Sequence, residues 1–410
     1  MIINKLHVKD IGLFDELNVT FNKRFNFISG PNSSGKTSIL KYISLALSHT
    51  AISQFRYGEN PEVWVDFFDN IDSCRVGFGD GSFTNHNVYQ GASLKAWNIP
   101  PKEENVTTLS PNGLNQQQID FVPLFISAFR KISYVKIPGM KQEPNKKQQI
   151  EVYRNQSTDL LGGENMPNVK QWLINRYFQI DKDWAVNERL NWEWLLENLN
   201  NIGPKGSNLQ FSAIQRDLEP MFSVYGNKCY LEELSAGYQS ILSIIFCIFD
   251  WIEGTNEGKE MLIKNTKGTV LIDELDAHLH PEWQLSIRES LAVLFPKLQF
   301  IITTHSPHLI ASAKPNELLI IPEHEGILNL SPSSKVYSGW NTDQILEEIM
   351  GVKSLTNKQY AELIHQAFDA ISLNSISELK KAINRLKKVS HSNDTIVESL
   401  EIKLAELKLK

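Results

Sequence analysis

Arg24-Phe25-Asn26-Phe27-Ile28-Ser29 runs into Gly30-Pro31-Asn32-Ser33-Ser34-Gly35-Lys36-Thr37, and that loop into Ser38-Ile39-Leu40-Lys41-Tyr42-Ile43. A strand-like apolar run, a glycine-bounded loop and a helix-like run follow one another without a break. This is the context that the pattern GxxxxGK[ST] requires. Glycines let backbone N–H groups wrap phosphate oxygens, and the helix that opens at the loop's end adds the positive end of its dipole. The spacing therefore predicts a phosphate cradle from Gly30 through Ser38. Lys36 is expected to reach the β- and γ-phosphates of a nucleotide, and the Thr37 hydroxyl to ligate Mg²⁺. Upstream, Ile2–Val8 and Leu17–Phe21 alternate like strands around a turn containing Gly12, which predicts a small antiparallel subdomain.

Far downstream, Gly268-Thr269-Val270-Leu271-Ile272 ends in two adjacent acids, Asp273 and Glu274, and continues as Leu275-Asp276-Ala277-His278-Leu279-His280-Pro281. A buried strand that delivers carboxylates at its C-terminal edge suits an α/β nucleotide-binding fold. Asp273 is expected to hold Mg²⁺ through water, and Glu274 to orient or deprotonate an attacking water. A plain acidic turn after a strand is the alternative, and the peptide alone does not decide between them.

Two further stretches decide. Leu234-Ser235-Ala236-Gly237-Tyr238-Gln239 precedes Ile241, Leu242, Ile244, Ile245 and Ile248 at helical spacing, with Ser235 at the N-cap position. Leu298-Gln299-Phe300-Ile301-Ile302-Thr303-Thr304 is another buried-strand run, ending in His305. With the phosphate loop and the Asp-Glu strand, in this order, they resemble the motifs of ABC-type ATPases, whose signature loop usually reads LSGGQ. The resemblance implies ATP and Mg²⁺ as ligands and a dimer closed around the nucleotide. Ser235, Ala236, Gly237 and Gln239 would then act on ATP bound to the opposite subunit, and His305 would be the switch histidine at the γ-phosphate. Ala236 and Tyr238 depart from the strict signature. The glutamine that couples the metal to the second lobe in this superfamily has no decisive flank; Gln54 and Gln116 to Gln118 are the candidates.

The ending from Asp276 to Pro281 resembles the heads of OLD-like and RecF-like ATPases. The acidic set of the TOPRIM nuclease domain that OLD nucleases carry is not evident after His305, so no intrinsic nuclease activity is expected. His278 and His280 lack a third and fourth metal ligand in the sequence and read as structural residues. The tail offers a helix opening near Trp340. Two amphipathic segments follow, one with Ile376, Leu379, Ile383 and Leu386, the other with Ile396, Leu400, Leu404 and Leu407. They are expected to form a helical hairpin, for packing or for docking a partner. This layout resembles the stand-alone ATPase subunits of Septu-type antiphage defence systems. It implies a homodimer or higher homo-oligomer working with a separate effector nuclease of HNH type. The alternative is a RecF-like DNA-repair ATPase that binds DNA by itself.

Composition bounds the rest. The 410 residues are 41% apolar and 21% charged, with net charge −6, which fits a globular chain and gives no global basic field. Cys74, Cys229 and Cys247 have no metal-like spacing. No apolar run reaches membrane-spanning length and no leader opens the chain, so a cytoplasmic protein without a membrane partner is expected. The expected architecture is α/β: an ABC-type P-loop head with a mixed sheet and an N-terminal antiparallel β-subdomain. Four segments are expected: an N-terminal ATPase lobe at 1–135, a largely helical insertion at 136–228, a C-terminal lobe at 229–335 and the helical tail at 336–410. Trp172, Trp184, Trp192 and Trp194 are read as core of the insertion. Residues 138–155, with Lys141, Lys146 and Lys147, read as a mobile loop where DNA contact is left open. Arg130 is expected in a surface ion pair, with a place facing the nucleotide as the alternative.

Overall fold

A computed structural model describes residues 1–48, 55–69, 72–84, 93–161, 168–323, 326–352, 358–391 and 394–409. Gln54 lies outside them. The chain divides into two compact units, Met1–Ile345 and Leu346–Lys410. The first begins with β1 (Ile2–Ile11), β2 (Phe14–Thr20), β3 (Phe25–Ser29) and α1 (Lys36–Leu47). It continues with β4 (Tyr57–Asp69), β5 (Asp72–Phe78), β6 (Gly81–Thr84), β7 (Ser93–Trp97), β8 (Val106–Leu109), α2 (Pro111–Gln116) and β9 (Leu124–Ile126). Then come α3 (Lys146–Leu161), α4 (Val169–Gln179), α5 (Val186–Leu199), β10 (Gln210–Ile214), β11 (Pro220–Val224) and β12 (Asn227–Tyr230). The last part holds α6 (Ala236–Thr255), β13 (Thr269–Ile272), α7 (Pro281–Leu294), β14 (Gln299–Thr303), α8 (Pro307–Ser312), β15 (Leu318–Ile320) and β16 (Ile327–Leu330). Helix α9 (Thr342–Glu348) crosses the boundary between the units.

Two sheets carry the first unit. One has the order β15-β3-β14-β13-β9 and is parallel throughout. Strands β3, β13 and β14 are buried along their whole length, which is why they read as continuous apolar runs without alternation. The other sheet, β16-β2-β1-β4-β5-β8, is mixed: β1 pairs antiparallel with β2 and β4, while β16 lies parallel to β2 and β8 to β5. Strand β1 alternates between deeply buried and partly exposed positions, as a one-sided strand should. Helix α1 joins the two sheets through one core, in which Ile39, Leu40 and Ile43 pack with Leu6 and Val65 of the mixed sheet and Leu271 and Ile301 of the parallel one. The architecture is thus α/β, as expected, with the parallel strands β15, β3, β14, β13 and β9 in one sheet and the antiparallel pairs of β1, β2, β4 and β5 in another.

The middle is less helical than its composition suggested. Residues 210–230 form a three-stranded antiparallel meander, β10-β11-β12. The lysine-rich stretch becomes helix at Lys146, whose ammonium lies 2.8 Å from Asp120. Trp172 and Trp192 are buried and Trp194 donates to the Leu294 carbonyl, but Trp184 is 67% exposed and takes no part in a core. The second unit consists of α10 (Lys358–Ser372), α11 (Ile376–Val389) and α12 (Thr395–Leu409) around Leu363, Ala367, Leu379, Ile383, Leu386, Leu400 and Leu404. The expected hairpin is therefore α11 and α12, with α10 added to it. Among the described residues no helix is long and apolar enough to cross a membrane.

Candidate functional site

All five parallel strands end at one edge, and four of those ends carry the chemistry. Strand β3 delivers the loop 30–37, β13 delivers Asp273 and Glu274, β14 delivers Thr303 to His305, and β9 delivers Ser127 to Arg130.

The loop is shaped for close backbone approach. Gly30 sits at φ 153°, Ser33 at 63° and Gly35 at 91°. A side chain on Gly30 would press to 2.5 Å from the Ile321 carbonyl oxygen, and one on Gly35 to 2.7 Å from the Phe14 ring. Only glycine fits either position. Lys36 opens α1 and donates to the Gly30 and Pro31 carbonyls at 3.0 and 2.7 Å, so its ammonium spans the loop mouth. Burial pulls Lys36 below its ordinary value, against Glu274, Asp276 and Asp273, which favour the charged form. The Ser34 hydroxyl is buried without a protein hydrogen-bond partner.

The Thr37 hydroxyl donates to Asp273 Oδ1 at 2.9 Å, and the Thr303 hydroxyl to the same oxygen at 2.6 Å. A hydroxyl and a carboxylate in contact at the start of a P-loop helix form a hard oxygen-donor pair fit for Mg²⁺. The orphaned Ser34 hydroxyl and the glycine-lined loop fit a phosphate chain. The residues present therefore suit a Mg²⁺–nucleotide.

Glu274 adopts φ 48°. Its N–H donates to Thr303 Oγ1 at 2.7 Å, and its carbonyl accepts from Arg130 Nη2 at 2.7 Å. His305 is half-buried. Its N–H donates to Asp276 Oδ1 at 3.2 Å, beside the 2.6 Å bond from the Thr304 hydroxyl to the same oxygen. Burial lowers the His305 ring below the ordinary imidazole value, and the Lys36 charge lowers it further, opposed by Asp276, Glu274 and Asp273. Lysine, carboxylates and histidine thus share one electrostatic neighbourhood.

The loop that resembles a signature motif divides. Ser235 and Ala236 are exposed, and Ser235 stands at the N-cap of α6 without using its hydroxyl to cap the helix. Gly237 is buried against Trp283 and the His278 carbonyl. The Gln239 amide donates to the Glu232 and Leu234 carbonyls at 2.9 and 2.8 Å, so this side chain braces the loop from behind. His280 caps α7, its ring nitrogen accepting from the Glu282 N–H at 3.4 Å.

Two expectations change. Gln117 and Gln118 line a cavity of about 410 Å³ with Lys267, Gly268 and Thr269, at the entry end of β13 and away from the phosphate loop. The end of β9, beside β13, instead carries Ser127 and Arg130. Arg130 is not on the surface: it is 1% exposed and donates to the Asp273 and Glu274 carbonyls. Sequence reasoning also passed over Thr303, although a hydroxyl pair directly before His305 was a visible signal.

The chain is similar to several known proteins. A family described as "AAA ATPase domain" matches residues 143–310, and one described as "AAA domain" matches residues 5–183. The Septu protein PtuA of Bacillus thuringiensis is 26% identical over 99% of this chain and 98% of its own length. The retron Vc95 probable ATPase of Vibrio cholerae serotype O1 biovar El Tor is 34% identical over 27% of this chain and 22% of its own. Among solved structures, an Smc head bound to the C-winged helix domain of ScpA aligns over 82% of this chain and 98% of its own, at a TM-score of 0.49 and 15% identity. The chain resembles Septu PtuA along nearly its whole length, and its two family matches are to AAA domains, one of them described as an ATPase domain.

Proposed function

We propose that this chain binds and hydrolyses ATP, pairs with a second copy around the nucleotide, and controls a separate effector nuclease of HNH type in antiphage defence. The observation that carries the catalytic part is the convergence of Lys36, the Thr37–Asp273 pair, Glu274 and His305 on one sheet edge. In this scheme the loop N–H groups and Lys36 bind the β- and γ-phosphates. Thr37 directly and Asp273 through water would hold Mg²⁺, which when bound would screen the phosphate charge. Glu274 orients the attacking water and accepts its proton, and His305 donates a hydrogen bond at the γ-phosphate. The exposed Ser235 hydroxyl and the N-terminus of α6 meet the nucleotide of the second copy. End-to-end likeness to Septu PtuA supports the defence role.

The test is Glu274→Gln. The variant should bind ATP as the parent does and accumulate as an ATP-dependent dimer in light scattering. Its turnover should fall about 10²- to 10⁴-fold, the usual weight of a general base. Turnover at the parental rate would remove Glu274 from the mechanism. Phage plating on cells that carry the gene with its neighbours, with and without the substitution, reads the defence role separately.

A further inference from the structure

Arg130 makes four side-chain hydrogen bonds, yet it pairs with no carboxylate among the described residues. The other buried arginines do: Arg75 with Asp66 at 2.7 Å, Arg176 with Glu253 at 2.7 Å, and Arg288 with Glu317 at 2.5 Å. Arg130 spends its donors on neutral oxygens. Nη1 donates to the Ser127 carbonyl at 2.8 Å and the Asp273 carbonyl at 2.7 Å, Nη2 to the Glu274 carbonyl at 2.7 Å, and Nε to Ser240 Oγ at 3.0 Å. Its own carbonyl accepts from Ser243 Oγ at 3.3 Å. Ser240 and Ser243 lie three residues apart on one face of α6, the helix that opens at Ser235. A core arginine retained for stability alone would have reason to neutralise its charge with an acid, and Asp273, Glu274 and Asp276 are all near enough to act on it electrostatically. The fork instead grips the peptides that carry two of them.

The grip falls on a strained residue. Glu274 sits in the left-handed region that a side chain disfavours. Thr303 holds its N–H and Arg130 holds its carbonyl, so the conformation is fixed from both ends.

We propose that Arg130 is a positioning residue that ties the signature helix to the water-activating carboxylate. It holds Glu274 in its left-handed conformation and, through Ser240 and Ser243, makes that hold depend on where α6 stands. Engagement of Ser235 by the nucleotide of a second copy then reaches Glu274 through a rigid link rather than through solvent. The link rests on the roles proposed above for Glu274 and Ser235.

Arg130→Lys, Arg130→Ala and Ser240→Ala, assayed beside Glu274→Gln, test it in the full-length protein. Nucleotide affinity, read with a fluorescent ATP analogue, should stay within about threefold of the parent in all four, because no Arg130 donor faces the phosphate loop. For Arg130→Lys, kcat should fall about 10²-fold with KM unchanged, as expected when a reacting group is misplaced by about an ångström. Ser240→Ala should lower kcat about tenfold, since Ser243 still holds the Arg130 backbone. Added guanidinium at millimolar concentration should restore part of the Arg130→Ala rate and none of the Glu274→Gln rate, a pattern that general loss of packing does not produce. Should Arg130→Ala fail to fold, Arg130→Lys and Ser240→Ala decide. Parental kcat in both, with Glu274→Gln inactive, overturns the role of Arg130. Parental turnover in Glu274→Gln overturns the underlying active-site assignment instead.

Discussion

A glutamate held at φ 48° stores strain of about 1–3 kcal/mol, and such residues persist only where their surroundings over-determine them. At Glu274 the surroundings are two short hydrogen bonds to side chains from other strand ends, so the carboxylate leaves the β13 backbone at a defined angle. His305 is tuned in the same neighbourhood. Burial first, and the Lys36 charge second, disfavour the protonated ring. Its folded value therefore lies below the ordinary imidazole value of about 6.5. The unfolded chain binds the proton first as pH falls, so the neutral ring's contribution to stability is complete above that pH and is lost towards acid. In the nucleotide-free protein, a ¹H–¹³C NMR titration of the ring should show His305 neutral at pH 7 with a midpoint below 6.5. Lys36→Met should move that midpoint upward; a midpoint that stays put would mean that the ammonium does not act on the ring.

At the scale of elements, α6 is held where it must move little. Gly237 in its first turn would bring a Cβ to 2.8 Å from the Trp283 ring and 3.0 Å from the His278 carbonyl. Gly237→Ala should cost about 1–3 kcal/mol in chemical denaturation, the usual range for overpacking. It should also weaken ATP-dependent dimerisation more than ATP binding, because the displaced loop carries Ser235. Equal losses in both would place the damage in the head at large. The strands and loops of the site were legible because parallel strands buried on both sides give unbroken apolar runs ending abruptly in polar residues. Arg130 was not legible. Arginine is rarely fully buried, and the carbonyls of Asp273 and Glu274 that it grips lie more than a hundred residues away and leave no mark in side-chain pattern. Nor was α10: its inner face uses Ala367 and Ala370, which carry little apolar signal, beside Leu363. The meander at 210–230 was hidden by the tryptophan-rich helices before it.

At the scale of the molecule, the second unit has a core of its own and an apolar exterior besides. Phe368 and Ile396 border a shallow groove together with Ile371 and Lys403. Replacing Phe368 and Ile396 by serine should leave ATP turnover unaltered and lower the recovery of a co-expressed effector nuclease on affinity purification. Undiminished recovery would confine this unit to packing.

The strand order of the parallel sheet also governs when the site can come into being. Strand β3, made within the first thirty residues, pairs with β14, whose residues 299–303 emerge near the end of the head. The N–H of Ile3 waits for the Gln299 side chain at 2.9 Å. Contacts so distant along the chain close slowly, and none can close before its later half has been synthesised. A nascent chain on the ribosome therefore presents the phosphate loop long before it owns Glu274 or His305. If Glu274 and His305 have the roles proposed above, newborn copies hydrolyse no nucleotide until translation has passed His305, and an early-terminated fragment lacks the strand that pairs with β3.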